Sequence, residues 1–334
     1  MALSFLGQSF DAPTYVPPTT AWTRHGPFAN WIVKAARPST IVELGSHYGF
    51  SYFAFCQAVV EAGLPTRCYA VDTWQGDEHA GHYESTVHDH VSKANEGYAG
   101  FSALLRKTFA EALADIEDGS VDLLHVDGRH FYEDVREDFE SWIPKLAPSA
   151  IVLFHDTEVR DRDFGVYRYW AELRQTHPGL NFTYQHGLGV LFWGEPQTAT
   201  IARLREMVAT PDGEALVNDF FFAASEAYVR ATQAVTFSRQ ARETGKQLEA
   251  DGARLASLRD KLSKLEPEHL RLRSEHRALK ENLQVARRLL RKPLRTALHR
   301  GTARLALAVL PWLPERRKES LRQIIAKREL RPET

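Results

Sequence analysis

Acidic and imidazole side chains follow three apolar stretches of the sequence and could act together. Asp72 ends the first stretch, and Asp127 and His130 follow the second. His155 and Asp156 follow the third. If these stretches are parallel strands, their carboxyl ends lie along one edge of a sheet, where ligands bind. We therefore expect the three aspartates to line one cleft. The alternative is that these carboxylates only cap helices.

Carboxylates beside imidazoles suit either proton transfer or metal binding. His130 could take a proton from an acceptor hydroxyl, with Asp127 and Asp156 as the other catalytic groups. Asp127, Asp156 and His155 could hold a divalent cation, and oxygen-rich ligation favours Mg²⁺ or Mn²⁺. Without a cation, His130 could still be the base while Asp156 orients the hydroxyl.

A glycine-bearing turn lies between an apolar strand and a predicted helix over residues 50–62. Gly45 and Gly49 permit positive φ and the close approach of a ligand, and the helix N-terminus favours a polar or anionic one. Asp72 lies about two dozen residues further on, where a ribose is commonly held. Glu43, a carboxylate in an apolar strand, needs a partner and is a candidate ligand contact. The turn alone fits an ordinary strand-to-helix connection equally well.

These residues need a parallel sheet with helices on both faces to position them. From residue 40 to residue 156, apolar runs of strand length alternate with segments of helical spacing, such as Tyr132 to Leu146. The pattern predicts an α/β fold with a doubly wound, mostly parallel sheet, closed by a hairpin of residues 181–185 and 189–193. The long polar stretch from Thr73 to Gly100 is predicted to be a lid or insertion. Its candidate acceptor contacts are Trp74, Asp77, His79, His82 and Tyr83.

Four motifs carry a family resemblance. They are Val42-Glu-Leu-Gly-Ser-His-Tyr-Gly49, Ala70-Val-Asp-Thr-Trp-Gln-Gly-Asp-Glu-His-Ala-Gly81, Val121-Asp-Leu-Leu-His-Val-Asp-Gly-Arg-His130 and Val152-Leu-Phe-His-Asp-Thr157. Residues 25–195 thereby resemble the class I S-adenosylmethionine-dependent methyltransferases. The resemblance is strongest to the branch associated with polysaccharide biosynthesis and glycosyltransferase fusions.

The resemblance implies a seven-stranded Rossmann-like sheet with S-adenosylmethionine as the methyl donor. The implied cofactor contacts are Glu43, Gly45, Ser46, His47, Gly49, Asp72, Thr73 and Asp127. Metal-dependent sugar O-methyltransferases with a similar rim have an acidic pair after the next strand, where this chain has His155. We expect an O-methyltransferase that acts on a sugar hydroxyl of a glycan or glycolipid precursor. The alternatives are a non-catalytic methyltransferase-like scaffold and an O-methyltransferase for small phenolic or antibiotic substrates.

The composition indicates an intracellular protein with an acidic body and a basic tail. The 334 residues are 43% hydrophobic and carry a net charge of −1, but from Arg287 onward 14 Lys and Arg face 4 Asp and Glu. Cys56 and Cys68 suggest neither a disulfide framework nor a zinc site, and the first 15 residues lack a secretory signal. No apolar run approaches the ~20 residues that span a bilayer. We expect a cytoplasmic location.

The segment from residue 248 to residue 290 has the spacing of a coiled coil, with His269 and His276 on its seam and Pro267 predicting a kink or break. Its seam leucines are Leu255, Leu258, Leu262, Leu265, Leu272, Leu279, Leu283 and Leu290. We expect it to join copies of the chain or to bind a partner in polysaccharide assembly. A long helix packed on its own domain is the alternative.

The last segment, residues 291–334, predicts basic amphipathic helices that flank an apolar stretch with Trp312. Such a segment could make a peripheral contact with the inner face of a membrane or dock a protein partner. A nucleic-acid partner is not expected, because no matching recognition fold is present. The predicted organisation is an N-terminal arm and helix (1–36), a methyltransferase domain (37–196), a helical linker (197–247), a coiled coil (248–290) and the basic tail (291–334).

Overall fold

The computed structural model divides the chain into two compact units, Met1–Thr244 and Gly245–Thr334. The residues it describes are 4–7, 10–77, 81–82, 86–161, 163–291, 315, 318 and 319. The predicted basic tail therefore lies almost entirely outside the described residues.

The first unit is built on a seven-stranded sheet. Its strands in chain order are β1 (Thr40–Leu44), β2 (Arg67–Asp72), β5 (Ser102–Arg106), β6 (Val121–Val126), β7 (Leu146–His155), β8 (Gly179–Phe182) and β9 (Leu188–Phe192). A separate two-stranded ribbon contains β3 (Gly76–Asp77) and β4 (Gly81–His82). The sheet order is β5-β2-β1-β6-β7-β9-β8, with β9 antiparallel to both of its neighbours and the remaining pairs parallel. The predicted doubly wound, mostly parallel sheet is confirmed.

Eight α-helices lie within the described residues. They are α1 (Gly26–Ala36), α2 (Phe50–Ala62), α3 (Thr86–Asn95), α4 (Phe109–Ala112), α5 (Tyr132–Trp142), α6 (Val166–Thr176), α7 (Ala199–Met207) and α8 (Pro211–Arg291). Of the predicted kink or break at Pro267, the break is wrong, because α8 continues through that residue. Pro267 is exposed, so water can satisfy the carbonyl that loses its helical partner.

Side chains of β1 alternate between two hydrophobic layers, one on each face of the sheet. Ile41 packs with α1 and α2, while Val42 and Leu44 pack with α5 and α6. Both layers exclude water from β1, which explains its continuous apolar sequence. Phe221 of α8 and Leu204 of α7 join the first layer, so residues after 196 add to this core instead of forming a bare linker.

The carboxyl ends of β2, β6 and β7 lie at the same edge of the sheet because the three strands run parallel. Asp72 is the last residue of β2, Asp127 follows β6, and Asp156 follows β7. The fold therefore brings the three predicted aspartates to one edge.

Among the described residues, no helix is both long enough and apolar enough to span a bilayer.

Candidate active site

A cleft of about 600 Å³ opens at the carboxyl ends of the strands. Asp72, Asp127 and Asp156 all line it, as the sequence predicts. Its volume lies within the range of small-molecule sites.

The glycine turn forms one wall of this cleft. Gly45 has a φ of 86°, and a Cβ there would collide with the carbonyl oxygen of Asp127. Gly49 has a φ of 77° and precedes the first turn of α2. Both positions therefore need glycine, the first because of close backbone approach and the second because of its left-handed conformation.

Asp72 holds the glycine turn in place. Its Oδ2 accepts hydrogen bonds from the backbone N–H groups of Ser46 and His47, each at 2.9 Å, and its Oδ1 accepts one from Trp74 at 2.7 Å. Burial raises the pKa of Asp72, and these three N–H donors oppose the rise. Oδ1 accepts only one of these bonds, so it retains a lone pair for a further donor.

Two carboxylates and two imidazoles that line the cleft lie close together. His130 Nε2 lies 2.8 Å from Asp156 Oδ2 and 3.8 Å from Asp127 Oδ1. His155 Nδ1 lies 3.2 Å from Asp127 Oδ1 and 3.4 Å from Asp156 Oδ1. His155, which is the more buried imidazole, thus contacts both carboxylates, and His130 also contacts both of them.

Opposite charges dominate the titration of these four groups. Burial alone would lower the pKa of His130, but hydrogen bonds to Asp127 and Asp156 raise it to about 9. Burial likewise opposes the charged forms of the two aspartates, yet His155 and His130 hold the pKa of each carboxyl below its usual range. At neutral pH the resting cluster therefore pairs imidazolium with carboxylate, and its protons belong to the group as a whole.

Three ligand atoms of this cluster are placed to share a cation. One atom each from Asp127, His130 and Asp156 lies within 4.8 Å of the others. His155 does not belong to this set, because its Nδ1 is turned to the carboxylates and its ring packs against Trp22 and His25. The group that meets the spacing of a cation site therefore contains His130 in place of the predicted His155, and its two carboxylate oxygens and one imidazole nitrogen could hold a divalent cation.

Backbone strain gathers around the cleft. His47, Trp74, Asp156 and His186 are non-glycine residues with φ between 46° and 70°. Each such residue costs free energy that the surrounding structure must offset, and strained residues of this kind cluster at functional sites.

A comparison with family models covers many of the residues that line this cleft. Residues 42–157 match the model described as a methyltransferase domain. This segment of the chain is therefore similar to methyltransferase domains. The matched residues include the glycine turn, Asp72, the Asp127–His130 segment and Asp156.

Similar proteins extend the comparison. The uncharacterized protein y4gI of Sinorhizobium fredii is 57% identical over 232 residues, which are 69% of this chain and 26% of that protein. This chain therefore spans about a quarter of the length of that relative. The S-adenosylmethionine complex of TomG, an O-methyltransferase of tomaymycin synthesis from Streptomyces achromogenes, is 15% identical over 52% of this chain and 88% of its own, with a TM-score of 0.39. The Podospora anserina methyltransferase PaMTH1 is 14% identical over 51% and 78%, with a TM-score of 0.40.

Most of the predicted cofactor contacts of the methyltransferase domain line the cleft. They are Gly45, Ser46, His47, Gly49, Asp72, Thr73 and Asp127. Glu43 is the exception and the prediction is corrected, because its carboxylate is fully buried and accepts a 2.8 Å hydrogen bond from His125. The two residues are direct neighbours on β1 and β6, so Glu43 finds its partner inside the sheet.

The structure describes only some of the predicted acceptor contacts. Trp74 is corrected, because its ring is buried and its Nε1–H donates to the carbonyl of His47 at 3.0 Å. Trp74 therefore braces the glycine turn. His79 and Tyr83 lie outside the described residues, as do the side chains of Asp77 and His82.

The N-terminal arm supplies a wall of the cleft that the motifs did not reveal. Residues 19–22 line the cleft, and the Tyr15 hydroxyl anchors the arm by donating to the carbonyl of Tyr48 at 2.7 Å. Trp22 is buried, with its ring centroid 5.1 Å from that of His125 and 6.1 Å from that of His155. The proline-rich sequence of the arm has no periodicity, so its position at the cleft could not be predicted from the sequence.

Phe164 and His186 also complete the cluster. The Phe164 ring stacks on His130 with a centroid distance of 4.6 Å. His186 Nδ1 lies 3.3 Å from Asp156 Oδ1. Phe164 lies between β7 and α6, and His186 lies in the turn between β8 and β9.

Asp138 of α5 lines the cleft beside Gly128 and gives the domain a pH-dependent stability. Burial raises the pKa of Asp138 to about 7, the charges of Asp134 and Glu137 add to the rise, and Arg129 opposes it. Between about pH 4 and pH 7 the folded state keeps a proton that the unfolded state has released, so stability falls as pH rises through this window.

The Asp138→Asn variant is expected to lose this pH dependence. At pH 8 it should exceed the wild-type free energy of unfolding by on the order of 1–3 kcal/mol, whereas at pH 4 the two should match. Urea unfolding followed by tryptophan fluorescence, without ligand, measures the difference. Glu137→Gln should shift stability in the same direction by less. Equal stabilities of Asp138→Asn and wild type at pH 8 would contradict the assignment.

Proposed function

We propose that this chain is an S-adenosylmethionine-dependent O-methyltransferase that acts on a sugar hydroxyl of a glycan or glycolipid precursor. The observation that carries the proposal is the convergence of Asp127, His130 and Asp156 in the cleft whose other wall is the glycine turn. One end of the cleft suits the methyl donor, and the other end suits a hydroxyl that must lose its proton.

S-adenosylmethionine is assigned to the wall formed by the turn and Asp72. The Gly45–Gly49 backbone allows close approach of the methionine portion, and the free lone pair of Asp72 Oδ1 can accept from a ribose hydroxyl. The cofactor carries a sulfonium cation, which the acidic lining favours. The lining carboxylates are those of Asp72, Asp127, Asp134, Glu137, Asp138 and Asp156.

The acceptor hydroxyl is assigned to the Asp127, His130 and Asp156 group. The acceptor oxygen attacks the methyl carbon as the carbon–sulfur bond breaks, and its proton passes to His130. Because the raised pKa of His130 keeps its imidazole protonated at neutral pH, that imidazole must first release its resting proton to solvent. Because the sulfonium is already a good leaving group, in-line placement and removal of one proton are the main requirements. His155 holds both carboxylates so that their cleft-side oxygens stay aimed at the hydroxyl.

A divalent cation fits the same three side chains. When bound there, Mg²⁺ would stabilise negative charge on the acceptor oxygen. His130 would have to be in its neutral form to serve as a ligand, so the proton it carries at neutral pH would be released.

The surroundings of this end favour a sugar over a small phenol. His130, His186, Asp156 and Arg129 offer several polar atoms at the rim, as vicinal hydroxyls require. In the described part of residues 74–100, Gly76 is the residue that lines the cleft, and Trp74 is turned into the core. This stretch thus supplies no apolar enclosure from its described residues.

The proposal is tested in the cell that encodes the chain. Mass spectrometry of envelope sugars should find an O-methyl group that is missing when the gene is deleted and restored by the wild-type gene. Asp156→Asn should not restore it, and asparagine tolerates the φ of 62° at this position. Full restoration by Asp156→Asn would favour a non-catalytic scaffold, and unchanged methylation on deletion would contradict the glycan acceptor.

A further inference from the structure

We propose that residues 248–279 pair with the same residues of a second copy of the chain in an antiparallel coiled coil centred between Ser263 and Lys264. The inference concerns the second unit alone and does not depend on the reaction of the first.

A stripe of exposed leucines on α8 is the first observation. Eight leucines at spacings of three and four residues, or their sum, lie on one side of α8, and each is between 47% and 67% exposed. They are Leu248, Leu255, Leu258, Leu262, Leu265, Leu272, Leu279 and Leu283. Burying one leucine contributes roughly 1.5–3 kcal/mol, so the stripe strongly favours association. Its spacing is that of the a and d positions of a coiled coil.

The polar seam positions favour one direction of the second helix. His276 and His269 occupy a positions and Asp251 a d position, and in the antiparallel pair His269 faces Leu258 of the second copy. In a parallel pair in register, Asp251 would face Asp251 of the other copy, which is a like-charge contact in the seam. In the antiparallel pair, Asp251 faces His276 of the second copy, and Leu248, Leu255 and Leu262 face leucines.

The flanking e and g charges select the same arrangement. In an antiparallel pair, g faces g and e faces e across the seam. With the stated centre, every charged pair so formed within the overlap is of opposite sign. The pairs are Arg254 with Glu275, Lys261 with Glu268, and Arg259 with Glu266, each occurring twice by symmetry.

Other pairings of the two helices place like charges against each other. The parallel alignment makes three opposite-sign pairs but also places Arg254 against Arg259 of the second copy. Sliding the antiparallel pair by one heptad in either direction sets like charges against each other, such as Lys261 against itself or Glu268 against itself. Charge complementarity therefore fixes both direction and register.

Features outside the seam agree with this arrangement. Pro267 falls on the face of α8 opposite the stripe, where no partner helix needs its missing N–H. Leu270, which is 64% exposed, also lies off the stripe and provides a control.

The association is tested by sedimentation equilibrium of the full chain. The wild type should be a dimer, Leu262→Glu should be monomeric, and Leu270→Glu should stay dimeric. Both variants place a charge at a leucine of similar exposure, 61% and 64%, so only the seam position distinguishes them. A monomeric wild type, or equal dissociation of the two variants, would overturn the proposal.

The direction is tested by exchanging two charges. Lys261→Glu or Glu268→Lys alone should raise the dimer dissociation constant about tenfold, because each creates like-charge pairs. The double variant Lys261→Glu/Glu268→Lys should restore the wild-type value. In a parallel dimer the double variant would instead set like charges between positions 261 and 266 and between positions 268 and 273. A dissociation constant that rises further in the double variant would therefore contradict the antiparallel assignment.

Discussion

Replacing Asp72 with alanine is expected to weaken S-adenosylmethionine binding about 30- to 150-fold. The carboxylate accepts the N–H groups of Ser46, His47 and Trp74, so its loss frees the glycine turn and also removes the ribose acceptor. Hydrogen bonds to a charged group contribute roughly 2–3 kcal/mol here, which corresponds to that change in affinity. Isothermal titration calorimetry of the folded variant measures it.

Asp122 offers a matched control for this experiment. Its Oδ2 accepts the backbone N–H groups of Ser39 at 2.7 Å and Thr40 at 3.1 Å, but Asp122 does not line the cleft. Asp122→Ala should lower stability and leave the dissociation constant of S-adenosylmethionine unchanged. Wild-type affinity in a folded Asp72→Ala protein would rule out the assigned cofactor wall.

Replacing His130 with alanine is expected to lower the rate of methyl transfer by about 10²- to 10⁴-fold, the usual contribution of a positioned acid–base group. Cofactor affinity should change little, because the glycine turn is held by the side chain of Asp72 and not by that of His130. Steady-state kinetics with saturating S-adenosylmethionine separate the two effects.

His177 provides the corresponding control. Its imidazole stacks on Trp193 with a centroid distance of 5.0 Å, much as His130 stacks on Phe164, but it does not line the cleft. His177→Ala should keep the wild-type rate. If His130→Ala retained a rate within a few-fold of wild type, the cluster would not be the site of proton removal.

The sheet could be predicted because each strand is a compact apolar run that ends at a polar residue. β2, β6 and β7 each carry this signal, and parallel pairing then places Asp72, Asp127 and Asp156 together without further information. The site followed from the same reasoning, since strand ends fix backbone positions even where side-chain directions are unknown.

The predictions for His155 and Glu43 were wrong because the sequence does not show in which direction a side chain points. His155 is the last residue of β7, and its ring packs against Trp22 while its Nδ1 lies beside the two carboxylates. Asp156 takes a left-handed conformation and joins His130 in the group of possible cation ligands. Glu43 found its partner through the register of β1 with β6, which no single strand encodes. Both facts depend on pairing between distant segments.

The arm and the long helix illustrate opposite cases. Residues 19–22 reach the cleft only because the folded body positions Tyr15 and Trp22, so no local pattern indicated their role. The α8 stripe repeats every heptad and was therefore readable from the sequence, although Pro267 suggested an end that the helix does not have.

The most direct test of the account is transfer of labelled methyl from S-adenosylmethionine to an envelope glycan fraction by the purified full chain, with and without added Mg²⁺. The account predicts label in the sugar as an alkali-stable methyl ether, and loss of that label in Asp156→Asn. Label that is released by alkali as an ester, or cofactor bound without any transfer to the glycan under either condition, would contradict it.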